Sequence, residues 1–127
     1  MGQAILVVED EILIRLMIVD FLQDEGFITL EAGSGEEALM ILLSEEIIDL
    51  VISDVCMPGT IDGVQLTVES KRRDSSLPVL ITSCHLPTGC ECPADAFLSK
   101  PFLNSNMLAL VNELIGPGNR PTGRSGS

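Results

Sequence analysis

The chain has 127 residues, 46% of them hydrophobic, and a formal net charge of -12 at pH 7. That length fits one domain with a substantial core, and 3% aromatics means the core must be aliphatic. The acidity argues against a general nucleic-acid surface, no apolar stretch is long enough to span a membrane, and the opening Met1-Gly2-Gln3-Ala4 does not read as a signal peptide, so a soluble cytoplasmic protein is expected.

Ala4 to Val8 reads as a short buried strand, and Glu9-Asp10-Glu11 follows it. Ile12 to Glu25 reads as a helix that Gly26 is placed to end. Its inward face is expected at Ile14, Met17, Ile18, Phe21 and Leu22, which recur at helical spacing. Phe27 to Glu31 alternates like a second strand. Ser34-Gly35-Glu36-Glu37 is a capping-box signature and opens a helix carrying Ala38, Leu39, Ile41, Leu42 and Leu43. The run from Leu50 ends on a carboxylate, Asp54, and reads as a third strand. Gly63 to Arg73 reads as a helix with a thin apolar face of Val64, Leu66 and Val68. Pro78 introduces a fourth strand, Val79 to Thr82. Ala96 to Leu98 is a short fifth, and Asn104 to Ile115 is the last helix, stopped by Gly116-Pro117-Gly118. Residues 1–116 then form one domain. The Gly-, Pro-, Ser- and Arg-rich residues 117–127 are expected to be a disordered tail.

Strands alternating with helices predict an α/β fold, a doubly wound parallel sheet covered on both faces. With five strands the natural order is 2-1-3-4-5, which makes the first and third strands neighbours. Asp10 and Asp54 then meet at one edge of the sheet, where such folds place their ligand sites. Three acids gathered there repel one another unless a cation joins them. Glu9, Asp10 and Asp54 form a hard oxygen set that suits Mg²⁺. Cys84-His85 and Cys90-x-Cys92 raise the question of a zinc site. Their spacing lacks the paired Cys-x-x-Cys form, and they are read as reduced thiols in and around a loop.

Four pieces of the chain together carry a family resemblance. They are Ile5-Leu6-Val7-Val8-Glu9-Asp10-Glu11; Asp54 with Met57-Pro58 and Asp62-Gly63; Pro78-Val79-Leu80-Ile81-Thr82-Ser83; and Lys100-Pro101-Phe102. In that order and near that spacing, the chain from about Ala4 to Ile115 resembles the receiver domain of two-component response regulators. Taken singly, each piece has a plainer reading. Glu9-Asp10-Glu11 suits a helix N-terminus, Asp54 a turn cap, Ser83 a strand end and Lys100 a surface lysine.

The resemblance implies a flavodoxin-like fold and a domain that takes a phosphoryl group from a histidine kinase onto Asp54, with Mg²⁺ as cofactor. It implies that Asp10 and Asp54 bind the metal directly, that Glu9 acts through water and that the backbone carbonyl of Cys56 is a further ligand. Ser83 would donate to a phosphoryl oxygen, Lys100 would supply the second counter-charge, and Phe97 matches the position of the switch aromatic. A downstream protein partner is expected; a nucleic acid or membrane partner is not. The stretch between Ser83 and Lys100 is several residues shorter than in a typical receiver and contains Pro87, Gly89 and Pro93. A shortened or absent fourth helix follows, and this is similar to the atypical receivers paired with HWE-class kinases. Ile12, Leu16 and Val19 form a second apolar stripe on the first helix and are expected to pack against the kinase. The competing reading is an interaction module that keeps the fold without depending on phosphate.

Overall fold

Five apolar runs become strands: β1 (Ala4–Val8), β2 (Ile28–Ala32), β3 (Leu50–Asp54), β4 (Val79–Ser83) and β5 (Ala96–Ser99). The computed structural model describes residues 2–57, 59–83 and 92–116. Among these residues there are four helices, α1 (Ile12–Asp24), α2 (Gly35–Leu43), α3 (Gly63–Arg73) and α4 (Asn104–Ile115). All strand pairs are parallel and the order is β2-β1-β3-β4-β5, as expected. No helix of the described residues lies between β4 and β5. Residues 84–91, on which most of the shortened-helix expectation falls, and the tail 117–127 lie outside the described residues.

Strand side chains alternate between faces, and here the alternation divides the core in two. Ile5, Val7, Leu50, Ile52 and Leu80 face α1 and α4, meeting Ile18, Val19, Leu22, Met107 and Val111. Leu6, Val8, Val51, Val79 and Ile81 face α2 and α3, meeting Ala38 and Leu66. A sheet buried on both faces needs uninterrupted apolar strands, which is why β1 and β3 could be delimited from their composition.

The helices differ more from expectation. On α1, Met17 is 68% exposed while Val19 is buried at 4%. At about 100° per residue, the buried arc runs from Phe21 and Ile14 through Ile18 and Leu22 to Arg15 and Val19. Met17 falls outside it. The exposed apolar stripe is therefore Ile12, Leu13, Leu16 and Met17, without Val19.

On α3, Leu66 is buried but Val68 is exposed. The rest of the inward face is Gly63, Thr67 and Ser70. Both hydroxyls are satisfied within the helix, Thr67 Oγ1 donating to Gly63 O at 2.7 Å and Ser70 Oγ to Leu66 O at 2.8 Å. Asp62 caps this helix through a reciprocal box with Gln65. On α2, Ser34 accepts from Glu37 N as expected, but the Glu37 carboxylate reaches one residue further back, to Gly33 N at 2.7 Å. The amino end of α3 lies so close to β3 that a Cβ on Gly63 would stand 2.3 Å from the Asp54 carbonyl oxygen.

Candidate phosphoacceptor site

The parallel sheet brings the carboxyl ends of β1, β3, β4 and β5 to one edge, and the site is assembled there. Glu9 follows β1 directly and extends its pairing, with its N–H donating to Ala32 O at 3.0 Å. Asp54 is the last residue of β3 and pairs with Thr82, so Ser83 is one step further along the same edge. Lys100 follows β5 and is tied to β4 by its own N–H, which donates to Ser83 O at 2.8 Å. Each functional side chain is thus fixed by the strand that precedes it.

Glu9 is 1% exposed. Its Oε1 accepts from Lys100 Nζ at 2.8 Å and its Oε2 from Glu11 N at 3.2 Å. Lys100 Nζ also stands 3.4 Å from Asp54 Oδ1. The lysine therefore bridges two of the three acids, and leans toward Glu9. Oxygens of Glu9, Asp10 and Asp54 all lie within 4.8 Å of one another. They form one wall of a pocket of about 300 Å³, with Glu11, Ile14, Cys56, Ser83 and Lys100 completing it.

Burial pushes the Glu9 carboxyl above its usual range, against the opposing hydrogen bonds from Lys100 and the Glu11 backbone. Burial likewise raises Asp54, and the Lys100 charge offsets this only partly, with Asp10 adding to the rise. For Lys100, burial alone would lower the ammonium. The hydrogen bond and charge of Glu9, together with Asp54, outweigh it and leave Lys100 raised. Two acids that resist ionisation beside a third acid have an electrostatic demand for one more cation. Three carboxylates at this spacing, with room for water beside them, match what Mg²⁺ takes: a few hard oxygen ligands and several retained waters.

The geometry thus unites Glu9, Asp10, Asp54, Ser83 and Lys100, with Cys56 on the same wall. The Cys56 thiol is exposed and free. Phe97 stands apart: it is on β5 opposite Ile81 and is 38% exposed, so it is not a core aromatic. The zinc reading rested on Cys84, His85, Cys90 and Cys92. The first three lie outside the described residues, and Cys92 packs partly buried against the α2–α3 side of the core.

Two further residues contribute to the site. Arg15 lies in the buried arc of α1, where its Nη1 donates to the Glu9 carbonyl at 2.8 Å and its Nε pairs with Glu31 at 3.1 Å. It fixes the backbone that carries two of the acids. A single guanidinium inside an otherwise apolar helical arc was the signal that could have found it. Gly63 is the other, since only a residue without Cβ lets α3 close against Asp54. On the opposite flank, Ile14, Met17 and Ile18 face Pro101, Phe102 and Asn104 across an apolar groove of about 360 Å³ that reaches Lys100.

Comparison with known proteins agrees with this assembly. Residues 5–112 match the model of the response regulator receiver domain. A probable transcriptional regulatory protein of Picosynechococcus sp. is 34% identical over 122 residues, covering 87% of this chain and 48% of the regulator. The chain spans about half the length of such regulators. The sensor kinase CckA of Brucella abortus is 36% identical over 119 residues, covering 87% of this chain and 12% of the kinase. Among solved structures, the response regulator TrrA of Thermotoga maritima in complex with Mg²⁺-BeF superimposes with a TM-score of 0.81 at 30% identity, covering 88% of this chain and 98% of that one. The receiver domain of the hybrid histidine kinase CckA gives 0.77 at 36% identity, covering 88% and 98%. The chain belongs to the response regulator receiver domain family, whose members are signalling phosphoacceptors rather than enzymes.

Proposed function

We propose that Asp54 accepts a phosphoryl group from the phosphohistidine of a histidine kinase, and that residues 1–116 act as one phosphorylation-controlled receiver. The observation that carries this reading is the clustering of Glu9, Asp10 and Asp54 oxygens within 4.8 Å beside a lysine bonded to Glu9 and 3.4 Å from Asp54. An Asp54 oxygen bonds to phosphorus as the kinase's N–P bond breaks, and the leaving imidazole takes up a proton. Asp54 then carries an acyl phosphate. Asp10 and Asp54 would hold Mg²⁺, with Glu9 acting through water and the Cys56 carbonyl as a further ligand. When bound, the metal neutralises charge on the phosphoryl oxygens. Lys100 moves from Glu9 toward the new phosphoryl oxygens, and Ser83 donates to one of them. Phe97, half out of the sheet, responds to that change as the switch aromatic and alters the surface offered to a downstream protein.

The docking surface for the kinase is the stripe Ile12, Leu13, Leu16 and Met17 together with the groove toward Phe102, which adjoins the acids. The short connection between β4 and β5 supports placing the chain with receivers paired with HWE-class kinases. The absence of any helix long and apolar enough to cross a membrane, among the described residues, fits work in the cytoplasm.

Acetyl phosphate or beryllofluoride with Mg²⁺ provides the test. Wild type should be labelled or shift its NMR spectrum, and Asp54→Asn should do neither while keeping its fold. Full labelling of Asp54→Asn would move the acceptor elsewhere, and a wild type inert to both reagents would favour an interaction module independent of phosphate. The metal adds a thermodynamic readout. A carboxyl whose native pKa is raised gives up its proton earlier in the unfolded chain. Glu9 and Asp54 therefore cost stability progressively as pH rises from ordinary carboxylate values through their raised native ones. Mg²⁺ should offset this cost, adding about 2–3 kcal/mol at a hundredfold excess over Kd. Without metal, Asp54→Asn should be more stable than wild type at neutral pH and flatter in its pH dependence.

A further inference from the structure

The loop between β3 and α3 carries Cys56, whose carbonyl is assigned to the metal. Its ends are secure. Val55 N–H donates to Thr82 O at 3.0 Å, and Gly63 N–H donates to Val55 O at 2.9 Å. Between them Gly59 takes φ +101°, in the left-handed region that favours glycine. Among the described residues, the side-chain bonds to the middle of the loop come from Glu36, in the first turn of α2. Glu36 Oε2 accepts from Thr60 N–H at 2.8 Å and from Thr60 Oγ1 at 2.7 Å. The carboxylate also lies against Gly59, 2.9 Å from where a Cβ would stand. The helix can come this close because Gly35 precedes Glu36: a Cβ there would stand 2.3 Å from Ile61 O. The Thr60 donors hold the Glu36 carboxyl below the usual range, so it stays ionised and charge-assisted through mildly acidic pH.

We propose that Glu36 is a positioning residue for the metal site: by clasping Thr60 it sets the path of the loop that presents the Cys56 carbonyl. Glu36 touches neither metal nor phosphoryl group. It acts on the loop backbone, as outer-shell partners orient metal ligands elsewhere. The inference rests on the Mg²⁺ reading of the Glu9, Asp10 and Asp54 cluster. It goes beyond that reading by assigning part of the metal affinity to a carboxylate on another element.

Mg²⁺ titration of the whole chain by calorimetry, with amide NMR of Gly59 and Thr60, tests it. Glu36→Ala should weaken Mg²⁺ about tenfold, at the lower end for outer-shell partners, and should shift both amides before metal is added. Glu36→Gln keeps an acceptor and should recover most of the affinity, although it loses the same charge. Glu45→Ala, a loss of one exposed charge at the other end of α2, should leave the affinity unchanged. Wild-type affinity in Glu36→Ala, or equal losses in all three variants, would overturn the clasp. Should Glu36→Ala not fold, Thr60→Val decides: weakened Mg²⁺ with a shifted Gly59 amide supports the clasp, and unchanged affinity refutes it. A wild type that does not bind Mg²⁺ at all would instead refute the site reading itself, and the clasp with it.

Discussion

Helices α1 and α3 divide their residues between core and solvent in opposite ways. The first carries more large apolar side chains than the sheet can cover and leaves Ile12, Leu13, Leu16 and Met17 outside. The second carries few, and buries Thr67 and Ser70 instead. Burial in α3 is set by how near its backbone must come to β3, and small residues with self-satisfied hydroxyls permit that approach. Burial in α1 is set by the sheet's demand, and the apolar excess is left over for something else. Hydrophobicity alone thus reports the core in neither helix.

Four substitutions test this contrast, and the largest effect belongs to α3. Gly63→Val puts side-chain carbon against the Asp54 carbonyl, and should cost more than about 3 kcal/mol in urea unfolding, beyond ordinary overpacking. A stable Gly63→Val protein would mean that the close approach is not required. Next comes a matched pair on α1. Val19→Lys buries an unpaired charge and should cost about 3 kcal/mol or more. Leu16→Lys should stay within about 0.5 kcal/mol of wild type, yet slow phosphotransfer from the cognate kinase without changing labelling by acetyl phosphate. Equal loss in both reactions would make Leu16 a core residue, and unchanged rates in both would remove it from the docking surface. The smallest effect returns to α3: Ser70→Ala loses a bond that served only the hydroxyl itself and should change stability by no more than about 0.5 kcal/mol. A cost of several kcal/mol there would show that the buried hydroxyl stabilises the helix after all.

The same contrast marks what the sequence could reveal. β3 was delimited correctly because a run buried on both faces is apolar from Leu50 to Ile52 and stops at a carboxylate. The meeting of Asp10 and Asp54 at one edge followed from strand order, since in a parallel sheet the position after each strand determines where its side chain arrives, whereas Ser83 and Lys100 were joined to them through the family resemblance. The inward face of α1 did not follow. Nearly every position from Ile12 to Leu22 is apolar, so a window of helical spacing fits more than one frame, and Met17 was put where Val19 belongs. The inward face of α3 was hidden for the converse reason, because Thr67 and Ser70 look like solvent residues. The lone guanidinium of Arg15 in the apolar arc marks that residue but not its acceptor, the Glu9 carbonyl, and the bond of Glu36 to Thr60 joins elements 24 residues apart, of which spacing along the chain carries no trace.

The missing side chain at Gly63 also has a mechanical meaning. Most helices rest on their sheet through a layer of side chains that can turn into other rotamers and absorb a displacement. Between the first turn of α3 and the end of β3 there is no such cushion, because peptide meets peptide at Asp54 and Val55. A displacement of the Asp54 backbone would therefore meet the backbone of α3 itself, with no side chain between them to turn aside.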